Sequence, residues 1–314
     1  MKIVIFVVKS KFTEEQQKKL SALGEIVYAD KKEERPLEKL LEMARGADII
    51  APDPDSFGGF EKAKIPLTNV IKSLPNLKGI CLSTTSFGWI DLDFCKKHQL
   101  PVSNVPGYSR ESVAEHALAL LLNLAKHILV SDRKTQKGNF VLEMGFELKG
   151  KTLGVIGLGN IGSRMAELGM GIGMKVIAYN RTPVIKAGVE IKTFDEVLTQ
   201  SDAISLHTTH EDKNKNLINK EQLKKMKNGV IIVNTVDRDL VNEPAMAEAI
   251  RSGKVYGYAY EGEDLTNTPL AKLDNALGIK AFAWFTKEAL QNLYQIWTDN
   301  IVALAKGSPK NRIV

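Results

Sequence analysis

Three glycines carry the clearest chemistry in this chain. In the stretch KTLGVIGLGNIGSRMAELGMGIGMKVIAY, residues 151–179, they stand as Gly157-x-Gly159-x-x-Gly162. An apolar run ends at Ile156, the glycines follow at once, an amphipathic run begins there, and a second apolar run ends at Tyr179. The first glycine permits a tight turn, the second a close backbone approach to a pyrophosphate, and the third close packing of a helix on a strand. The first turn of that helix, with Asn160 and Ile161, presents unpaired N–H groups and the positive end of its dipole to phosphates. Strand, glycines, helix and second strand in this order specify a dinucleotide site.

The end of the second strand sorts the dinucleotide. A carboxylate there accepts hydrogen bonds from the ribose hydroxyls and repels a 2′-phosphate. The chain instead has Asn180-Arg181-Thr182. An uncharged side chain beside a guanidinium and a hydroxyl suits NADP(H). With Arg181 in solvent and Asn180 on the ribose, the same residues would serve NAD.

The elements that must hold this site follow a βα rhythm of short apolar runs and amphipathic stretches, the mark of parallel sheets. Early strands are expected at 3–8, 25–28, 48–50, 77–82 and 102–104. A helix is expected at 13–23, with Thr13 as its cap and Gln16 closing a capping box. These form a small flavodoxin-like sheet. One long Ala- and Leu-rich helix is expected over 109–137, capped by Ser109. A second series of strands follows at 152–156, 175–179, 203–207, 229–234 and 254–258, and Thr286 caps a last helix from 287 to about 306. At 314 residues the chain has room for two domains with separate cores.

Composition narrows the classes. The net charge of +6 is spread among acidic residues, and runs such as 31–35 mix signs, so no nucleic-acid patch is expected. No stretch reaches the roughly 18 uncharged apolar residues of a membrane span. Two cysteines, Cys81 and Cys95, lack metal-ligand spacing, which indicates a reducing, cytoplasmic setting and no metal site.

Several further motifs, in order, make the chain similar to the D-isomer-specific 2-hydroxyacid dehydrogenase family. They are Ile90-Asp91-Leu92, Val102-Ser103-Asn104-Val105-Pro106-Gly107, Ser112-Val113-Ala114-Glu115-His116, the glycine loop, Ser205-Leu206-His207, Asn234-Thr235, and Leu240-Val241-Asn242-Glu243. The resemblance implies an α/β protein in which a Rossmann doubly wound sheet, at 101–283, is inserted into a flavodoxin-like substrate domain formed by 1–100 and 284–314. It implies a homodimer, a small-molecule substrate, and hydride exchange between nicotinamide and substrate. His207, Thr208, Thr235, Val236 and Glu261 take positions beside the cofactor. An Arg on the substrate carboxylate, a His that moves the proton, and a Glu that orients the His complete the family's chemistry. A family glycine that offers N–H groups to the carboxylate corresponds to Ser86.

The catalytic slots depart from that pattern. Asn-Thr-x-Arg-Gly-x-Leu-Val-Asp-Glu aligns without a gap on residues 234–243, which puts Asp237 in the Arg slot and Arg238 in the Gly slot. Glu261 takes the family's Asp position. An ungapped count puts Thr266 in the Glu slot, with Glu263 and Asp264 nearby. Ala281 fills the His slot, and no His follows His210. Asp237, Arg238 and His210 are the candidate catalytic groups, with Tyr258 and Tyr260 as further proton sources and Trp284 and Phe285 as apolar walls. Asp237 reverses the charge at the anchor, which suits a cationic or neutral amine, imine or amide, whereas an Asp237 that caps a turn or pairs with Arg238 would be structural. The expected function is an NAD(P)-dependent oxidoreductase of altered scope, acting on a small carbonyl or imine. The alternatives are a non-catalytic NAD(P)-binding regulatory or assembly protein, and an ordinary 2-oxo acid reductase with relocated groups.

Overall fold

The computed structural model describes residues 1–31, 33–209, 214–262 and 265–314. Along the chain run β1 (Lys2–Val8), α1 (Glu14–Ser21), β2 (Glu25–Ala29), α2 (Leu37–Ala44), β3 (Ile49–Ala51), α3 (Lys64–Lys72), β4 (Gly79–Cys81), α4 (Leu92–Lys97) and β5 (Val102–Ser103). Next come α5 (Arg110–Lys126), α6 (Ile128–Thr135), β6 (Thr152–Ile156), α7 (Asn160–Gly171), β7 (Lys175–Tyr179), β8 (Val189–Ile191), α8 (Phe194–Gln200) and β9 (Ala203–Leu206). The series ends with α9 (Lys220–Lys225), β10 (Val230–Asn234), α10 (Glu243–Arg251), β11 (Val255–Gly262), β12 (Ala276–Lys280) and α11 (Lys287–Ala305). Two compact units result, one of Met1–Ser109 with Lys287–Val314 and one of Arg110–Thr286.

The first unit holds a parallel sheet of order β2-β1-β3-β4-β5, the flavodoxin-like order. Strand β1, between β2 and β3, is buried on both faces, as a helix-covered parallel sheet requires. Val4 and Phe6 join a core with Leu40 and Leu67, while Ile3, Ile5 and Val7 point the other way, to Leu20, Trp297 and Ile301. That alternation is the two-residue period of a strand, and each such side chain contributes roughly 1.5–3 kcal/mol of burial. Helix α1 starts at the expected capping box: Gln16 N–H donates to Thr13 Oγ1 (3.3 Å) and Thr13 N–H to Gln16 Oε1 (2.9 Å).

The second unit holds a seven-stranded parallel sheet of order β12-β11-β10-β9-β6-β7-β8. Strands β7 and β9 flank β6, so the chain reverses direction of winding beside the glycine loop, the switch point of a Rossmann sheet. Leu153 and Val155 of β6 pack with α5 and α7 side chains such as Leu121 and Met165, and Ile156 packs with Ile204, Leu206 and Ile232.

Several boundaries differ from the sequence expectation. The units meet at 109/110 and 286/287 in place of 100/101 and 283/284. The long helix is broken at His127, whose φ is +53°. Two substitute hydrogen bonds stabilise the break: Phe146 N–H takes the Ala125 carbonyl (2.9 Å), and Leu129 N–H donates to Asn123 Oδ1 (3.1 Å). Strands β8 and β12 were not expected, because the first is short and exposed on an edge and the second is interrupted by Gly278. That glycine is required by packing, since a Cβ there would lie 2.8 Å from the Tyr260 hydroxyl. Among the described residues no single helix is long and apolar enough to cross a membrane.

Candidate active site

At the end of β6 the glycine loop has the geometry its sequence demands. Gly157 has φ +95°, and a Cβ on it would lie 2.6 Å from the His207 carbonyl oxygen. Gly162, in the first turn of α7, would place a Cβ 1.9 Å from the Gly157 carbonyl. These two glycines hold helix, loop and neighbouring strand in contact. Gly159 differs, because nothing lies within 4 Å of where its Cβ would be. It caps α7 without a side-chain hydrogen bond, so the opening N–H groups at Asn160 and Ile161 have no intrahelical acceptor. Open space in front of unpaired N–H groups fits a dinucleotide pyrophosphate.

The strand-end amide of Asn180 is tied to the same loop. Its Oδ1 accepts from Leu158 N–H (2.8 Å) and its Nδ2 donates to the Thr182 carbonyl (2.7 Å). Arg181 and Thr182 follow in exposed positions. On β9 the exit residues are His207 and Thr208. His207 N–H donates to Ile156 O (2.7 Å), and its Nε2 lies 2.8 Å from Ser205 Oγ. Burial pushes the His207 pKa down to about 4, so its ring is neutral near pH 7.

The end of β10 is organised by one buried amide. Asn234 Oδ1 accepts from Val236 N–H (3.1 Å) and Asp237 N–H (3.4 Å), while Nδ2 donates to Asp237 O (2.7 Å) and Tyr258 Oη (3.2 Å). This folds Thr235, Val236 and Asp237 into a tight turn. Thr235 Oγ1 is buried there without a hydrogen-bond partner among the described residues. Asp237 Oδ1 accepts from Asp239 N–H (2.8 Å) and caps the turn. Arg238 grips Glu243 in a bidentate pair, Nε to Oε1 at 2.6 Å and Nη2 to Oε2 at 2.8 Å, and Thr268 Oγ1 donates to the same Oε2 (2.7 Å). Burial opposes ionisation of Glu243, yet Arg238 and Thr268 hold its carboxyl below the usual range. Arg238 is therefore part of a half-buried ion pair that steadies the turn.

Glu261, on β11, is 8% exposed and Oε1 accepts from the backbone N–H groups of Phe282 (3.0 Å) and Ala283 (2.9 Å). Its carboxylate so fixes the segment that contains Ala281. His116 of α5 brings Nε2 within 3.5 Å of Glu261 Oε1 and sets its ring edge-on to Phe282 (5.1 Å). Burial pushes the His116 pKa below its usual value. Trp284 and Phe285 meet edge to face at 5.2 Å. Tyr258 and Tyr260 are buried and stacked (5.0 Å, 8°), with burial raising both phenol pKa values. They are core residues, a poor setting for proton donation to substrate. His210, Glu263 and Asp264 lie outside the described residues. Thr266 is exposed.

The first unit has a polar loop after β4. Val105 N–H binds the Thr84 carbonyl (3.0 Å), Asn104 Nδ2 binds the Thr85 carbonyl (2.7 Å), and Thr84 Oγ1 and Trp89 Nε1 both bind the Ser86 carbonyl (2.7 and 3.0 Å). In a trans peptide the C=O and the next N–H point in opposite directions. Three consecutive inward carbonyls therefore turn the N–H groups of Thr85, Ser86 and Phe87 away from these partners, and all three residues are exposed. Successive N–H groups of this kind make an anion seat.

The chain's likeness to known proteins matches this geometry. Residues 118–279 match the family model described as D-isomer specific 2-hydroxyacid dehydrogenase, NAD binding domain. A hydroxypyruvate reductase of Blautia hydrogenotrophica is 31% identical over 312 residues, 94% of this chain and 93% of that protein. The chain belongs to the D-isomer specific 2-hydroxyacid dehydrogenase family. It is an oxidoreductase that uses a nicotinamide cofactor, as the glycine loop indicates. A D-3-phosphoglycerate dehydrogenase of Archaeoglobus fulgidus is 38% identical over 255 residues, 78% of this chain but only 48% of that longer protein. Among solved structures, an acyclic imino acid reductase in complex with NADPH and D-Arg superposes with a TM-score of 0.87 at 25% identity, covering all of both chains.

Of the residues singled out by sequence, the dehydrogenase fold sets the glycine loop, Asn180, His207, Thr208, Thr235, Val236, Asp237 and Glu261 at or just past strand ends on the carboxyl edge of one sheet. Sequence reading missed the Arg238–Glu243–Thr268 anchor and the approach of His116 to Glu261.

Two outcomes follow. Gly159→Ala should leave the melting temperature unchanged and weaken binding of the reduced nicotinamide cofactor about tenfold or more, while Gly162→Ala should lower the melting temperature as well; equal behaviour of the two variants would contradict this division. For His207, the folded pKa lies below the unfolded value near 6.5. Its contribution to stability is complete above pH 6.5 and is lost as pH falls towards 4, with an upper bound of about 3 kcal/mol. His207→Gln should flatten the decline in melting temperature over that window, and an unaltered decline would count against a neutral ring.

Proposed function

We propose that this oxidoreductase reduces a protonated imine with NADPH. The observation that carries the reading is a paired change: Asp237 stands where the family's Arg anchors a carboxylate, and Ala281 where its His supplies a proton.

One change explains the other. Reduction of a carbonyl needs a hydride and a proton, and a positioned acid typically contributes about 10²–10⁴-fold. A protonated imine already carries its proton and a positive charge on nitrogen. Addition of hydride to its carbon moves the π pair onto nitrogen and gives the neutral amine directly, so no acid is required. The bound cofactor supplies the hydride. Asp237, its Oδ1 anchored by Asp239 N–H, stabilises the cationic nitrogen and repels the carboxylate that Arg would attract. Glu261 fixes the segment bearing Ala281, and the small side chain there leaves room for a substituted nitrogen. The imino acid reductase with a similar fold supports the reading. In the first unit, the N–H groups of Thr85, Ser86 and Phe87 are the proposed seat for a carboxylate.

The preference for NADPH rests on Asn180-Arg181-Thr182. The Asn180 amide is engaged with Leu158 and Thr182, there is no carboxylate to repel a 2′-phosphate, and Arg181 is exposed beside it. A homodimer belongs to the same proposal. Phe140, Leu142 and Met144 are 82%, 100% and 88% exposed within one short segment, an apolar run that a second copy of the chain would cover. A monomeric mass by sedimentation would remove that part.

The assay is NADPH oxidation by the purified protein with pyruvate or glyoxylate, each alone and mixed with methylamine to form the iminium. Turnover should be at least about tenfold faster with the amine present, and NADPH should bind at least about tenfold tighter than NADH. Faster turnover of the oxo acids alone would overturn the imine reading, and tighter NADH binding the choice of cofactor.

A further inference from the structure

A chain of three asparagine side chains runs through the first unit behind the loop at 84–88. Asn311, in the segment that follows α11, donates from Nδ2 to Asn300 Oδ1 (2.9 Å). Asn300, fully buried on α11, donates from Nδ2 to the Asn104 carbonyl (2.7 Å). Asn104, 8% exposed at the end of β5, donates from Nδ2 to the Thr85 carbonyl (2.7 Å). The backbone closes the circuit, because Asn104 N–H donates to the Asn311 carbonyl (3.1 Å). The segment is laid antiparallel on β5 through the Ser103–Arg312 bridge and the bond from Ile313 N–H to Val102 O (2.8 Å).

We infer that Asn311 and Asn300 are positioning residues for the anion seat: they orient Asn104, whose amide turns the Thr85–Ser86 peptide so that the Ser86 N–H faces the ligand. This rests on the proposed role of that loop as a carboxylate seat and is independent of whether a carbonyl or an imine is reduced.

Each link has a reason to be asparagine. A planar amide offers a donor and an acceptor on one short stem, so Asn300 accepts from one neighbour while it donates to the next. Asn311 has φ +49°, a left-handed backbone that asparagine tolerates better than other side-chain-bearing residues. At the far end, the Thr85 carbonyl has no other hydrogen-bond donor among the described residues than Asn104. The Thr85 hydroxyl and the flanking carbonyls are held by other bonds, so loss of this one leaves the Thr85–Ser86 peptide itself without a tether, and a rotated peptide would present its carbonyl to the anion. Ordering of three N–H groups before the ligand arrives is what raises affinity.

The test uses the full chain saturated with NADPH and titrated with oxamate, a small carboxylate, while backbone amide resonances of residues 84–88 are followed by NMR. In the unmodified protein the Thr85, Ser86 and Phe87 amides should shift. Asn311→Gly keeps the left-handed backbone but deletes the amide; it should weaken oxamate binding about tenfold, with NADPH affinity unchanged. Arg312→Ala, one residue on and outside the relay, should bind oxamate like the unmodified protein. Equal oxamate affinity in Asn311→Gly would overturn the relay, as would equal weakening by Arg312→Ala, which would make the effect one of segment docking. Failure of the unmodified loop to respond would overturn the anion seat itself, and the relay with it.

Discussion

A methyl group on Gly162 would stand 1.9 Å from the Gly157 carbonyl, and one on Gly157 would stand 2.6 Å from that of His207. This contact between helix, loop and strand sets everything downstream in the second unit. It brings α7 close enough to β6 that the first turn of the helix faces the carboxyl edge of the sheet. Because all strands of that sheet are parallel, Asn180, His207, Thr235 and Glu261 leave it on the same edge. A side chain at either glycine would separate the phosphate donors from the residues that face the other end of the cofactor.

Around that fixed frame, the proposed chemistry turns on Asp237 and Ala281, which align with the family's Arg and His. The turn after β10, which bears Asp237, is held by the Asn234 amide, and by Arg238 against Glu243 and Thr268. The Ala281 segment is likewise held by Glu261 and by the bond from Ser112 Oγ to the Ala283 carbonyl, although its His is gone. Under the proposed reading, this held scaffold carries new chemistry and is not a decayed site. A carboxylate paired with an absent acid is the combination that a cationic, already protonated substrate needs.

What could be read in the sequence depended on how local each constraint was. Gly157-x-Gly159-x-x-Gly162 was legible because its requirement is set within six residues, and the Thr13–Gln16 capping box for the same reason. The empty Arg and His slots were visible through the spacing around Asn234 and Ala281. The break at His127 was not, because the bonds that stabilise it come from Phe146 and from a side chain within the helix itself. The approach of His116 to Glu261 was not legible either, since nothing in its neighbourhood of sequence announces a partner 145 positions away. The amide relay is more remote still: Asn104 and Asn300 stand 196 positions apart. Strand β12 escaped because Gly278 interrupts the apolar run for the sake of Tyr260, a contact across two strands.

The central claim is that the turn at Asp237 selects a positively charged nitrogen. It is tested most directly by equilibrium binding of product analogues to the protein saturated with NADP⁺, by calorimetry at neutral pH. N-methylalanine, which carries an ammonium, should bind at least about tenfold more tightly than lactate, and Asp237→Asn, which keeps the shape and the turn cap, should abolish that preference. Lactate binding as tightly as N-methylalanine, or a preference that survives in Asp237→Asn, would contradict the account.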